Sequence, residues 1–473
     1  MLKKPGRGNA NSRRPSRWPD YRTVWRWHFY AGLFCIPFVL FLSVTGAIYL
    51  FKPQVDAWLD RPYDSLRIAA AAPPSQAVQT ALASMPGWTL HDYELPQTPH
   101  AAARVVLGHN GREMRVYVDP SAPKVLGAVE EDRRPMNIIF RLHGSLLMGD
   151  RGSMLVELAA SWAIVMILTG LYLWWPRQAT GLGGVLYPRL TAGRKIFWRD
   201  LHAVAGIWVS ALALFMLVSG LPWAKNWGGY LKEIRHITGT AVAQQDWTTG
   251  RSSEIAKRKA MDRAGMGAMS GMPDMSGIHA GHAARSPRAG LSAEALAALD
   301  RIAPTVARLN LAPPVLISPP DRPGGLWSAR SDAQNRPLRA NVTLDPATGA
   351  VVHFQGFDQR NVIDRIVGVS IAAHEGQLFG WPNQMLGIFI AVSLIAVSVS
   401  ALVLWWRRRA HGALGAPLPL GDPRFSAGLF AIVVMLGVLL PMFGISLVLV
   451  ALIERSILRR LPGPRHWLGL RGA

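Results

Sequence analysis

Apolar and polar stretches alternate along the chain on the scale of whole helices. Uncharged runs cover Phe29–Leu50, Leu158–Trp175, Ala203–Ala224, Gly376–Trp406 and Phe425–Ile453. Each is long enough to cross a hydrocarbon core of about 30 Å at about 1.5 Å per residue. Five membrane helices are predicted. Between them lie two long polar segments, each with an Ala-rich helical stretch (Ser75–Ser84; Ser292–Ala303) followed by strand-like runs. Val116-Tyr-Val-Asp119-Pro120 and Val342-Thr-Leu-Asp345-Pro346 both read as a strand running into a turn. Each polar segment is therefore expected to be a small α+β module.

The chain also matches itself. With His28 on His202, Ala31-Gly32 meets Ala205-Gly206, and Phe41, Val44, Thr45 and Gly46 meet Phe215, Val218, Ser219 and Gly220 without a gap. With His143 on His374, Leu147, Gly149 and Met154-Leu155 meet Leu378, Gly380 and Met385-Leu386, and Trp174-Trp175 meets Trp405-Trp406. The expected fold is mainly α: a membrane bundle of two parallel repeats (2+2 spans) plus a fifth, carrying two extracytoplasmic α+β modules.

Composition agrees with a membrane protein. Charged residues make up 17%, against about 25% in soluble chains, and mean hydropathy is +0.17. A soluble enzyme is excluded, and so is a disulfide scaffold, because Cys35 is the only cysteine. The net charge of +22 does not point to nucleic acid, because its location follows the topology. Basic residues crowd the tail (1–27), the connection 177–200 and the segment 407–424, whereas 52–142 holds ten basic and ten acidic residues. The positive-inside rule places the N-terminus, 177–200 and 407–424 in the cytoplasm.

The expected order is a tail (1–27), span 28–51, outer module 52–142, span 143–176 with a leading ligand segment, loop 177–200 and span 201–224. It continues with outer module 225–373, span 374–406 with a leading segment, loop 407–424, span 425–454 and tail 455–473. Pro441 stands inside the fifth run. A kinked span is the expectation there, and a re-entrant hairpin the alternative.

Four histidines fall at membrane boundaries and are matched by the repeat: His28, His202, His143 and His374. A pseudo-twofold axis brings equivalent residues together, so each pair offers two imidazoles to one ligand. Gly32 and Gly206, at i+4 from His28 and His202, clear room on the same helix face for a large flat group. Two b-type haems with bis-His ligation fit this pattern, one near each face and roughly 20 Å apart. Zinc would want three or four ligands in one cluster. Interfacial histidines also serve as plain amphipathic anchors, but two gap-free repeat positions favour the haem reading. Arg26, Arg141 and Arg199 stand two or three residues before proposed ligands and are candidates for haem propionates.

Leu142-His143-Gly-Ser-Leu-Leu-Met-Gly149-Asp150, the Leu-Tyr-Leu-Trp-Trp-Pro176-Arg177 exit, Leu201-His202 and His374-Glu-Gly376-Gln-Leu-Phe-Gly380 resemble the PepSY-associated transmembrane family over about residues 20–410. The resemblance implies PepSY-like outer modules and a haem-containing reductase of a periplasmic metal or metal chelate, similar to siderophore-iron reductases.

One segment departs from plainer members. Met266, Met269, Met272 and Met275 recur every third residue and are followed by His279 and His282, within an insert at 261–282. Thioethers select Cu(I) and imidazole serves both copper states, so copper is a candidate ligand; a low-complexity linker is the alternative. No strand-embedded Gly-x-Gly-x-x-Gly marks a nucleotide site, so electrons are expected from a membrane quinol or a separate donor protein. The leading function is haem-dependent electron transfer to a periplasmic Fe(III) chelate or Cu(II). The alternative is a metal-binding or regulatory membrane protein without redox turnover.

Overall fold

The computed structural model describes residues 21–68, 70–176, 181–240, 292–320, 322, 324–417 and 427–470. Helix α1 (Tyr21–Tyr49) is followed by three shorter helices, α2 (Lys52–Asp60), α3 (Pro74–Ser84) and α4 (Pro135–Ser145), and then by the long α5 (Asp150–Trp174). The same order of lengths follows in α6 (Arg194–Gly220), α7 (Lys225–Ile237), α8 (Ala293–Arg308), α9 (Val362–His374) and α10 (Trp381–Arg408). α11 (Ala427–Leu439), α12 (Pro441–Ile453) and α13 (Pro462–Leu468) complete the helices. Among the described residues, five helices are long and apolar enough to cross a membrane: Tyr21–Tyr49, Asp150–Trp174, Arg194–Trp223, Trp381–Arg408 and Pro441–Leu458. Large apolar side chains such as Phe34, Trp208 and Phe389 are exposed on these helices. That is the arrangement lipid stabilises and water does not.

The chain packs as two compact units, one drawn from Met1–Leu40, Glu157–Leu217 and Ser393–Ala473, the other from Phe41–Val156 and Val218–Val392. In the first unit, small and medium residues bring helices together: Ala31, Cys35, Ala159, Ala163 and Ala213 are buried. Trp162 packs edge-on against Phe443 and donates to Ser446 Oγ at 3.0 Å, fixing α12 on α5.

The fifth apolar run departs from expectation. Leu440 (φ −128°, ψ 80°) interrupts it, and a Cβ on Gly444 would stand 3.0 Å from Gly437 Cα. Residues seven apart in a continuous helix are separated by about 10 Å. The chain therefore reverses at Leu440–Pro441, and the single kinked span over 425–454 is replaced by two helices folded on each other. α13 then returns to Arg26: the Leu468 and Gly469 carbonyls accept from Tyr30 Oη and Arg26 Nη2 at 2.5 and 3.1 Å.

The second unit contains an eight-stranded antiparallel sheet in the order β4-β3-β2-β1-β5-β6-β7-β8. The strands are β1 (Thr89–Glu94), β2 (Ala103–His109), β3 (Arg112–Val118), β4 (Val125–Glu130), β5 (Val315–Ser318), β6 (Trp327–Ser331), β7 (Asn341–Leu344) and β8 (Val351–Gln355). The two expected modules thus share one sheet, joined where Tyr93 pairs with Ile317 and Glu94 with Leu316. Side chains alternate between faces. Val105, Leu107, Val116, Ile317 and Leu344 enter the core under Val78 and Ala81 of α3 and Leu299 and Ile302 of α8.

The opposite face is polar and buried. Arg115 pairs with Glu94 at 2.5 Å and with Glu131 at 2.7 Å, and Arg104 with Asp64 at 2.5 Å. A register shift between Leu90 and Asp92 lets β1 serve both faces. Leu90 and Tyr93 join the apolar core, while Asp92 meets Ser318 at 2.5 Å on the polar side.

Candidate functional site

In the first unit His28 of α1 meets His202 of α6, with ring centres 6.3 Å apart and planes at 77°. His28 Nδ1 lies 3.0 Å from the Met166 carbonyl and 3.2 Å from Thr169 Oγ1 on α5. The Thr169 hydroxyl donates to Val165 and Met166 carbonyls, so towards His28 it acts as acceptor. His202 Nδ1 lies 3.0 Å from the Val397 carbonyl and 3.4 Å from Ser400 Oγ on α10. Val397 and Ser400 follow Met166 and Thr169 at the offset that separates His374 from His143.

In the second unit His143, near the end of α4, meets His374, the last residue of α9, at 6.4 Å and 79°. Thr45 Oγ1 stands 3.1 Å from His143 Nδ1 and Ser219 Oγ 2.9 Å from His374 Nδ1. Burial pushes the His143 imidazole down to about 4, against a smaller upward pull from the Leu42 carbonyl. It is neutral at physiological pH and able to coordinate. Trp223 lies edge-on to His374 at 6.2 Å and to Phe140 at 6.4 Å.

The helices that carry this pair are held by buried charge. Arg134 stands just before α4 and donates to Asp60 at 2.9 Å, Tyr117 at 2.8 Å and Asp56 at 3.2 Å, tying α4 to α2 and the sheet. On α9, Asn361 Oδ1 accepts from the Ile363 N–H at 2.9 Å as an N-cap. Arg235 of α7 grips Asp364 through both carboxylate oxygens, at 2.7 and 3.1 Å. Such bidentate pairs fix orientation as well as position.

The four histidines thus come together as two pairs. Other glycines lie directly against the rings. A Cβ on Gly170 or Gly46 would stand 3.0 Å from Cε1 of His28 or His143, and one on Gly220 3.5 Å from Cε1 of His374. Gly32 faces Met166 Sδ at 3.6 Å, and Gly206 faces open space, since a Cβ there would meet nothing within 4 Å.

The three arginines are engaged elsewhere. Arg26 donates to the Pro417 and Gly469 carbonyls, Arg141 to the Asp132 carbonyl at 2.5 Å, and Arg199 is exposed with its Nη1 3.8 Å from Asp200. Met266, Met269, Met272, Met275, His279 and His282 lie outside the described residues. Among the described residues no three His, Cys, Asp or Glu side chains form a metal cluster.

Sequence reasoning missed Arg336 and Trp223 beside the second pair. Arg336 is a single loop residue with no periodic signal. The partners Thr45 and Ser219 were visible as matched repeat positions, but which ring each would meet was not.

No curated protein matches the chain with significant similarity. The profile of the PepSY-associated TM region matches residues 25–408, a stretch that includes all four paired histidines. The chain is a multi-pass membrane protein and belongs to the PepSY-associated transmembrane family.

Proposed function

We propose that the protein is a transmembrane electron carrier holding one b-type haem between His28 and His202 and a second between His143 and His374. Electrons pass from a membrane quinol or a donor protein to a periplasmic Fe(III) chelate or Cu(II). The observation that carries this reading is the ring spacing. A metal–imidazole bond of about 2.0 Å, plus roughly 1.1 Å from ring nitrogen to ring centre, sets two axial imidazoles on one iron about 6.2 Å apart. The pairs stand at 6.3 and 6.4 Å.

The Nδ1 contacts support the same reading. Nδ1–H donation to the Met166 and Val397 carbonyls and to Thr45 Oγ1 favours the tautomer that leaves Nε2 of His28, His202 and His143 as the coordinating nitrogen, and Ser219 Oγ stands at the matching place beside His374 Nδ1. Shared offsets between these partners favour a parallel repeat of two spans each. When bound, haem supplies one-electron chemistry. The protein's residues hold its axial ligands in place and surround them with apolar helix.

Basic residues at Arg407, Arg408 and Arg409 favour a cytoplasmic N-terminus, and the likeness to siderophore-iron reductases favours a bacterial inner membrane. The Met266–Met275 and His279–His282 series is read from sequence as a copper ligand set on the periplasmic side. Replacing its four methionines with leucine is expected to abolish Cu(I) capture and slow cupric reduction while both haem spectra stay unchanged. A reduced-minus-oxidised spectrum of the purified protein tests the main reading: a b-type difference spectrum is expected. A colourless chain that still binds metal would favour a regulatory or binding role instead.

A further inference from the structure

Beside the second histidine pair lies a buried cation with unmet hydrogen bonds. Arg336 sits on the 3-10 turn Arg336–Leu338 between β6 and β7 and is 5% exposed. Its Nε and Nη1 are buried without a hydrogen-bond partner. Its Nη2 forms an ion pair with the buried Glu375 Oε1 at 3.7 Å, too long for a hydrogen bond. The guanidinium stacks over Trp223 at 5.5 Å from the ring centre, and Trp223 in turn meets the His374 ring. Glu375 balances the charge of the guanidinium, but Nε and Nη1 remain without an acceptor, and buried donors are stable only when an acceptor reaches them. Arg26 and Arg199 already have acceptors or solvent, and Arg141 has one buried nitrogen, Nε, without a partner, whereas Arg336, stacked on Trp223, has two.

We infer that Arg336 is a carboxylate-binding residue that takes a propionate of the macrocycle held by His143 and His374, with Trp223 as the platform that aligns guanidinium and imidazole. This rests on the haem reading above. A planar guanidinium with several donors suits a carboxylate. The burial of Arg336 favours a carboxylate that belongs to a resident group over one on a diffusing chelate. A carboxylate carried by the metal chelate has the same chemistry, and the experiment separates the two sources.

Full-length protein is prepared as wild type, Arg336→Gln and Arg336→Lys. Each is loaded with haem or with haem dimethyl ester, in which both propionates are masked. Haem count, spectra and the rate of haem loss to a scavenging apoglobin are measured, with no metal substrate present. With native haem, Arg336→Gln is expected to release the haem of the His143/His374 site about tenfold faster, the factor of one charge-assisted hydrogen bond, and to lower that haem's midpoint potential. The His28/His202 haem is expected to be unchanged. Arg336→Lys should restore part of the retention. With the dimethyl ester, wild type and Arg336→Gln should release at the same rate.

Equal effects of Arg336→Gln on native and esterified haem would overturn the proposal and leave Arg336 with a purely structural role. An unchanged haem-loss rate together with a raised KM confined to carboxylate-bearing chelates, measured in a separate turnover assay with chelate added, would overturn it in favour of substrate binding. Wild type without haem at this site would reject the haem reading itself, and is told apart by the haem count before any variant is compared.

Discussion

Thr45 Oγ1 lies 3.1 Å from His143 Nδ1, and because its hydroxyl donates to the Phe41 carbonyl at 3.0 Å, it accepts from the imidazole. That bond leaves Nε2 as the ring nitrogen free for a ligand. Thr45→Val keeps the shape and removes the acceptor. It is expected to weaken haem retention at the His143/His374 site by about tenfold or more, with the other haem unaffected. Gly46→Ala should perturb the same haem, since the new methyl would stand 3.0 Å from His143 Cε1, whereas Gly220→Ala, at 3.5 Å from His374, should be tolerated. Haem-loss rates measured for the three variants test this order.

Acid should loosen the support of α4. Burial pushes Asp60 up, but the Arg134 hydrogen bond and charge outweigh it and hold the carboxyl below its usual range. A depressed folded pKa contributes stability above the unfolded value of about 3.9, and that stability is lost as pH falls through the lower folded value. Asp60→Asn is therefore expected to destabilise the second unit at neutral pH by up to about 3 kcal/mol. Its gap from wild type should close below about pH 4. Denaturation curves across pH, followed through the His143/His374 haem, check both statements, and a gap independent of pH would contradict them.

The chain reversal at Leu440–Pro441 gives a topological expectation. The Leu414 N–H donates to the Trp467 carbonyl at 2.8 Å, and Arg26 reaches both Pro417 and Gly469. Reporters fused after Arg409 and after Leu470 should therefore read the same, cytoplasmic side. Opposite readings would restore a full crossing by the fifth run.

The long helices and the four histidines were legible because membrane burial writes itself as length and the self-match aligns His28 with His202 and His143 with His374. The Ala-rich stretches became α3 and α8 for a similar local reason: small residues at helical spacing pack on a sheet. What stayed hidden depends on distant partners. The β1–β5 pairing joins Tyr93 to Ile317, and no local pattern encodes that edge-to-edge contact. Gly32 and Gly206 are placed correctly on their helices, yet the glycines that touch the rings come from other helices, as with Gly170, or from further along the same one. Pro441 marked a break, but only the close approach of Gly437 and Gly444 showed that the chain turns back.

The central claim is that each histidine pair holds one haem, and the most direct measurement is haem per chain combined with low-temperature electron paramagnetic resonance of the oxidised protein. Two haems per chain are expected. Ring planes at 77° and 79° should give the strongly anisotropic low-spin signals of nearly perpendicular axial imidazoles. His28→Ala or His202→Ala should each remove one signal, and His143→Ala or His374→Ala the other. No bound haem, or a single haem lost alike in His28→Ala and His143→Ala, would contradict the account.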